Sequence, residues 1–235
     1  MEWIGEGLLI GVRRHGETSV IAEAMVVGRG RCLGLVRGGR SSRLAATLQP
    51  GNTVQLVWRA RLEDHLGTFA IELLQARAAA LIADRTKLYL SQLLCDHLRL
   101  LPERDPHDRL LALALDLLDN AVDGAALARF ELVLLDELGF GLDLSSCAAT
   151  GVTEDLAYVS PRSGRAVSRA AGEPYKDKLL RLPRCLTDRG NGGPEDLAAA
   201  FRLTGYFLAE HVWLPRRLQP AATRDRLVDM LTHQP

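Results

Sequence analysis

Arg37-Gly38-Gly39-Arg40-Ser41-Ser42-Arg43 combines three arginines, two glycines and two hydroxyls in seven residues, a composition suited to holding an anion. Glycines let backbone N–H groups approach a phosphate, guanidinium forks match its oxygens in pairs, and the serines add donors. The segment lacks the lysine and spacing of a Walker loop, so nucleotide hydrolysis is not implied. The alternative is a solvated loop between strands. Arg13, Arg14, Arg29 and Arg31 at neighbouring strand ends, with Arg59 and Arg61 further on, favour binding. Together these nine arginines form the expected nucleic-acid-binding set. Between residues 11 and 62 only Glu17 and Glu23 oppose them.

Other reactive types are scattered. His107-Asp108 fits a metal phosphohydrolase with His65 or His97 as distant ligands, but Asp105-Pro106-His107-Asp108 equally reads as the acidic first turn of a helix. Cys95 and His97 stand two apart on a predicted helix and point to different faces. Ser160 and Ser163 flank Pro161-Arg162 with no Gly-x-Ser-x-Gly elbow. Cys147-Ala148-Ala149-Thr150 has the outline of half a zinc knuckle, with threonine in the place of the second thiolate and only Cys185 downstream. Two thiolates without a nearby histidine fall short of four ligands, so apolar packing and hydrogen bonds are expected to hold this region. The chain is therefore expected to be no enzyme and to need no cofactor or metal.

The elements that must position these residues follow from periodicity. Five strands are predicted over residues 7–12, 19–27, 32–36, 53–62 and 68–74, with a long connection from Gly38 to Asn52. That pattern matches an OB-type barrel, with an SH3-like barrel as nearest competitor. In 54–62, Val54, Leu56 and Trp58 alternate with Gln55, Val57 and Arg59, giving a core face and a polar face. From Ala78 the period changes to about 3.6, predicting helices over 80–101, 106–121 and 125–138, the last ending at Gly139. Pro102 stops the first, Asp105-Pro106 starts the second and Asp123 caps the third. Residues 145–193 form an irregular insert with a small hairpin at Leu156–Val159 and Ala166-Val167, and helices resume over 194–211 and 223–231. The expected fold is α+β and multidomain: a five-stranded barrel over 1–79, then a helical domain over 80–235 with a knuckle-like insert lacking zinc ligands.

Bulk composition sets the limits. The 235 residues are 47% hydrophobic, enough for one large core or two modest ones, and only 5% aromatic, which argues against a surface dominated by base stacking. Trp3, Trp58 and Phe69 are the N-terminal rings available for it. The formal net charge is zero, yet residues 81–145 hold 6 cations against 12 acids, so an acidic middle masks the basic front. Arginine outnumbers lysine 26 to 3 throughout the chain, which reflects genome base composition more than function. Four widely spaced cysteines, no signal-like start and no apolar run of about 20 residues lead to the expectation of a reduced, cytoplasmic setting.

Several short motifs, in order, carry a resemblance. They are Gly16-Glu17-Thr18-Ser19, Gly30-Arg31, Arg37-Gly38-Gly39-Arg40, Arg129-Phe130-Glu131 with Leu134-Leu135 and Glu137-Leu138-Gly139, Cys147-Ala148, and Tyr158-Val159-Ser160-Pro161-Arg162-Ser163-Gly164-Arg165-Ala166-Val167-Ser168. The chain resembles the RecO family of bacterial recombination mediators, departing from its zinc-bearing members at Thr150 and in the missing downstream cysteine pair. The resemblance implies an N-terminal OB domain, a helical domain, and nucleoid-associated action. It also implies binding of single- and double-stranded DNA, annealing of complementary strands and, with RecR, help for RecA in replacing single-stranded-DNA-binding protein (SSB), whose tail docks on the helical domain. An OB protein acting on RNA, a phosphohydrolase at His107/Asp108 and a pure protein adaptor are the competing classes.

Overall fold

The computed structural model describes residues 1–62, 64–187, 193–220 and 222–233. Its N-terminal part is a sheet of five strands, β1 (Glu2–His15), β2 (Ser19–Val26), β3 (Gly30–Val36), β4 (Thr53–Arg59) and β5 (Thr68–Gln75). A short helix α1 (Ser42–Ala45) lies in the long connection. Pairing runs β1-β2-β3-β5-β4 and returns to β1, closing the sheet into a barrel; β3 and β5 meet in parallel at Leu35 and Thr68, and the other pairs are antiparallel. β1 is longer than its local pattern predicts because its first half pairs with β4 and its second with β2, a non-local requirement invisible to alternation.

Inside the barrel pack Leu9, Val20, Ala24, Val54, Leu56 and Trp58, the β4 face being the one alternation predicts. Gly34 is needed there, since a Cβ would lie 2.5 Å from the Phe69 ring. On the opposite face of β2, Ile21 and Met25 are buried too. Three helices follow, α2 (Ala78–Ala83), α3 (Arg85–Leu98) and α4 (Asp108–Asp119), and α3 packs against β1. Leu90, Leu93, Leu94 and Leu98 of α3 are fully buried. Asp84 breaks the single helix predicted over 80–101: it adopts an extended backbone and its carboxylate accepts the N–H groups of Thr86 and Lys87. Asp105 does not cap α4, which begins at Asp108 behind a His107 cap without a side-chain bond.

Polar contacts join barrel and helices. Arg77, almost wholly buried, grips both oxygens of Asp119 and reaches Gln75, Thr53 and the Gly51 carbonyl. Asn52, 1% exposed, accepts the N–H groups of Arg77 and Ala78 on its side-chain oxygen and donates to the carbonyls of Ala46 and Thr47. The element type thus changes between Gln75 and Ala78, but the chain divides into compact units later, at Met1–Val122 and Asp123–Pro235.

The second unit comprises α5 (Gly124–Glu137), β6 (Leu156–Val159), β7 (Ala166–Ser168), α6 (Arg169–Gly172), β8 (Leu180–Arg181), α7 (Gly193–Leu208), continued by a π turn to Trp213, and α8 (Ala222–Thr232). Asp123 caps α5 by accepting the Ala125 N–H, and Gly139 ends it at φ 86°. The small hairpin forms as β6–β7, and β8 adds a third strand. Leu127, Phe130, Leu134 and Leu135 of α5 and Ala200, Phe201, Leu203 and Phe207 of α7 are buried, and the two helices pack together. The acidic residues of 81–145 lie largely on outer faces, with Glu131 the exception at 0% exposure. Its carboxylate takes a bidentate grip from Arg224 on α8 (2.8 and 2.9 Å) and the Thr204 hydroxyl of α7.

Breaking that pair leaves a buried charge. Glu131→Ala should destabilise the second unit by about 3–5 kcal/mol in urea melts, whereas the double change Glu131→Met with Arg224→Leu should cost far less. In the first unit, the Arg77 guanidinium holds the Asp119 carboxyl below the usual carboxylate range. A depressed folded value contributes stability above the unfolded pKa, near 3.9, that is lost as pH falls through the folded one. Urea midpoints of Asp119→Asn should therefore trail wild type at pH 6 and converge on it below about pH 4.

Candidate nucleic-acid interface

The strands place the nine arginines in two groups and a tied centre. At the end where β1 meets β2, Arg13 and Arg14 close β1, and the 37–43 loop lies against the Gly16-Glu17-Thr18 turn. The Arg40 N–H donates to the Thr18 carbonyl at 3.0 Å and its guanidinium to the Glu17 carbonyl. Ser41 donates to the Gly38 carbonyl, α1 follows, Leu48 is buried in the barrel core, and Asn52 holds Ala46 and Thr47. The loop is thus fastened at both ends rather than loosely solvated. Arg13, Arg14, Arg37 and Arg43 are exposed, and among the described residues no carboxylate pairs with any of the four.

Arg29 lies in the β2–β3 turn at the opposite end of the hairpin, on the order of 20 Å away by the rise of an eight-residue strand. Arg59, which pairs with Glu2 at 2.9 Å, and exposed Arg61 share that end through the β1–β4 register. Arg31 sits between. Its guanidinium bonds Glu23 at 2.6 Å, lies 3.7 Å from Glu103 and donates to the Leu101 carbonyl, while Arg99 takes the other oxygen of Glu23. The nine arginines thus differ in surroundings, those of the Arg37 end and Arg29 lying exposed and Arg31 held in ion pairs between them. Arg99 and Arg104 escaped sequence reasoning because they lie in the acidic block; their signal was position after a helix end, next to Pro102.

Gly30 explains how Arg104 reaches the barrel. It holds φ +68°, and a Cβ there would overlap the Asp105 carbonyl, so only glycine lets the 103–105 segment run beside β3. Along that segment Arg104 donates its N–H to the Arg31 carbonyl.

The other candidate centres resolve differently. His107 is buried, and the Asp108 carboxylate accepts the Gly28 N–H at 2.7 Å, committing it to the fold. Among the described residues no group of three or more His, Cys, Asp or Glu is placed to hold a metal ion. Cys147 is buried and its Sγ accepts the Ser168 N–H at 3.2 Å. Hydrogen bonds from Ser168, and then from Thr150, hold the Cys147 thiol down at about 6. Thr150 stands where a knuckle would carry a second thiolate. Cys185 is held separately: its N–H and that of Arg184 donate to Asp196 on α7 at 2.9 and 3.0 Å. Cys95 and His97 are buried in α3, and no described helix is long and apolar enough to cross a membrane.

Comparison with known proteins completes the description. Residues 1–77 match the family described as Recombination protein O N terminal, and residues 82–219 match Recombination protein O C terminal. The chain is 56% identical over 234 residues to DNA repair protein RecO of Rhizobium etli, covering 97% of this chain and 91% of that one. It is 53% identical over 242 residues to DNA repair protein RecO of Methylobacterium nodulans, covering 99% and 98%.

Free and tied arginines should separate in stability measurements. Arg31→Ala, which leaves one oxygen of Glu23 without its partner while Arg99 keeps the other, should lower unfolding free energy by about 1–3 kcal/mol. Arg37→Ala and Arg43→Ala should stay within about 0.5 kcal/mol of wild type in the same melts.

Proposed function

This chain belongs to the RecO family of DNA repair and recombination proteins, and from that membership we propose that its barrel is an OB domain gripping DNA backbones without reading sequence. The strand order β1-β2-β3-β5-β4, with β1 shared between β2 and β4, supports the OB assignment. The observation that carries the binding proposal is the end bearing Arg13, Arg14, Arg37 and Arg43, four exposed guanidinium groups on a fastened loop and strand end. Arginine forks bond phosphate oxygens and release counterions whether the DNA is single- or double-stranded.

Holding two strands at once lowers their mutual repulsion, so complementary strands anneal with no catalytic residue. In the cell, at the nucleoid, the protein then works with RecR to help RecA load on gapped DNA coated with SSB, whose tail docks on the helical part. The domain boundary is proposed near residue 79, where strands give way to helices. The phosphohydrolase alternative loses its support because Asp108 is engaged by Gly28. An RNA-directed role would share the same phosphate contacts and differs in the preferred strand.

Replacing Arg37 and Arg43 together by alanine removes two phosphate contacts. The slope of log affinity against log salt should fall by about 1.4–1.8 for DNA, and acceleration of duplex formation from SSB-coated complementary strands should fall with it. An unchanged slope and affinity would remove this end of the barrel from the interface, and stronger binding to RNA than to DNA would favour the RNA role.

A further inference from the structure

At the barrel end opposite the Arg37 loop, a cavity of about 130 Å³ opens between Trp3, Trp58, Arg29 and Arg104 above Cys32. Its volume is roughly that of four liquid waters, room for one small planar ring and not for a stacked run. One side of Trp3 is backed: its ring stacks on Trp58 at 5.8 Å and 16°, and Phe69 meets it edge-on at 6.0 Å. Trp58 is itself held, since its indole N–H donates to the Leu66 carbonyl at 3.0 Å. Trp3 remains half-exposed, with the Arg29 guanidinium carbon 4.8 Å from its ring centroid.

The charge of the cavity is as telling as its shape. Among the described residues no carboxylate pairs with Arg29, and Arg104 donates to the His65 carbonyl rather than to an acid. Arg104 adopts φ 60°, which turns the 103–105 segment at the cavity's edge. A rigid aromatic platform under two cations that no carboxylate of the described residues pairs with matches a planar, π-faced group attached to an anion. A nucleotide within a single strand has that chemistry. A paired base does not reach the platform, because its faces are occupied within the stack.

Building on the proposed DNA-binding role, we propose that this cavity takes one unstacked nucleobase of a single strand. The base takes the place on Trp3 that the Arg29 guanidinium covers, and Arg29, displaced from the ring, meets the flanking phosphates with Arg104. The strand then runs toward the Arg13/Arg37 end, a span compatible with the roughly 4–16 nucleotides an OB barrel covers. The second basic end therefore distinguishes single strands from duplex, which the phosphate contacts at the first end do not. One such ring platform is consistent with a chain that is only 5% aromatic.

The test uses the full chain with three probes: a thymidine 12-mer, the same backbone carrying abasic sites throughout, and a 12-base-pair duplex. Trp213 is buried away from the cavity that Trp3 and Trp58 line, so a change in emission on binding reports on that pair. The thymidine strand should quench tryptophan emission and bind about 5- to 160-fold more tightly than the abasic strand, the range that one stacked base contributes. The duplex should bind without quenching. Arg29→Ala should lose more affinity for the thymidine strand than for the duplex, and Trp3→Phe, which keeps a ring, should retain affinity while losing the quench. Equal binding of thymidine and abasic strands by wild-type protein, with a normal salt dependence, would overturn the base pocket and leave the phosphate interface standing. Absence of binding to all three probes would overturn both.

Discussion

Closure of the barrel depends on one strand hydrogen-bonding along both of its edges. β1 runs fourteen residues, lying along β4 from Glu2 to Leu8 and along β2 from Gly7 to His15. With both edges of β1 used and β3 meeting β5 at Leu35 and Thr68, the β2–β3 hairpin is held across the wall. The same register decides where charge appears. The end of β1 and the Arg37 loop share one end of the hairpin, while the β2–β3 turn and Trp3 share the other. A slip of one residue would exchange Leu9, Ala22 and Leu56 for outward side chains and dissolve both ends together.

Within that frame, arginines close in sequence have unlike fates. Arg29 and Arg31 are two residues apart, yet one lies over an indole and the other is locked between Glu23, Glu103 and a carbonyl. Arg31 is held because the outer wall of β2 and β3 is covered by the α3 end and the 103–105 segment, which bring Arg99 and Glu103 onto it. A guanidinium with every fork occupied stabilises the wall and has little left for a phosphate. Arg13, Arg14, Arg37 and Arg43 keep their donors available, since among the described residues no carboxylate pairs with them.

The second unit shows the same economy of polar contacts. Where a zinc knuckle would bind metal, Cys147 is bonded to Ser168 and Thr150, and Asp196 gathers the turn around Cys185. Backbone N–H groups and a hydroxyl thereby occupy the sulfur and the carboxylate that a metal would otherwise organise. Deeper in, Glu131 and Arg224 tie α5 to α8 across 93 residues of sequence. Such a pair fixes how the helices meet more than it adds net stability, since desolvation offsets much of its attraction.

Alternation in β4, the change of period near Ala78, the Asp123 cap and the stop at Gly139 were all legible from residue order, because each rests on contacts within a few residues. So were the basic front, the altered knuckle and the ordered motifs that placed the chain in its family. Three things were not. The length of β1, the burial of Glu131 and the split of the arginines into two ends each depend on partners 20 to 90 residues away, whose positions no local pattern encodes. Residue types and their spacing determined which groups were available for an anion; only the closed barrel and its covered wall decided which of those groups remain free to meet one.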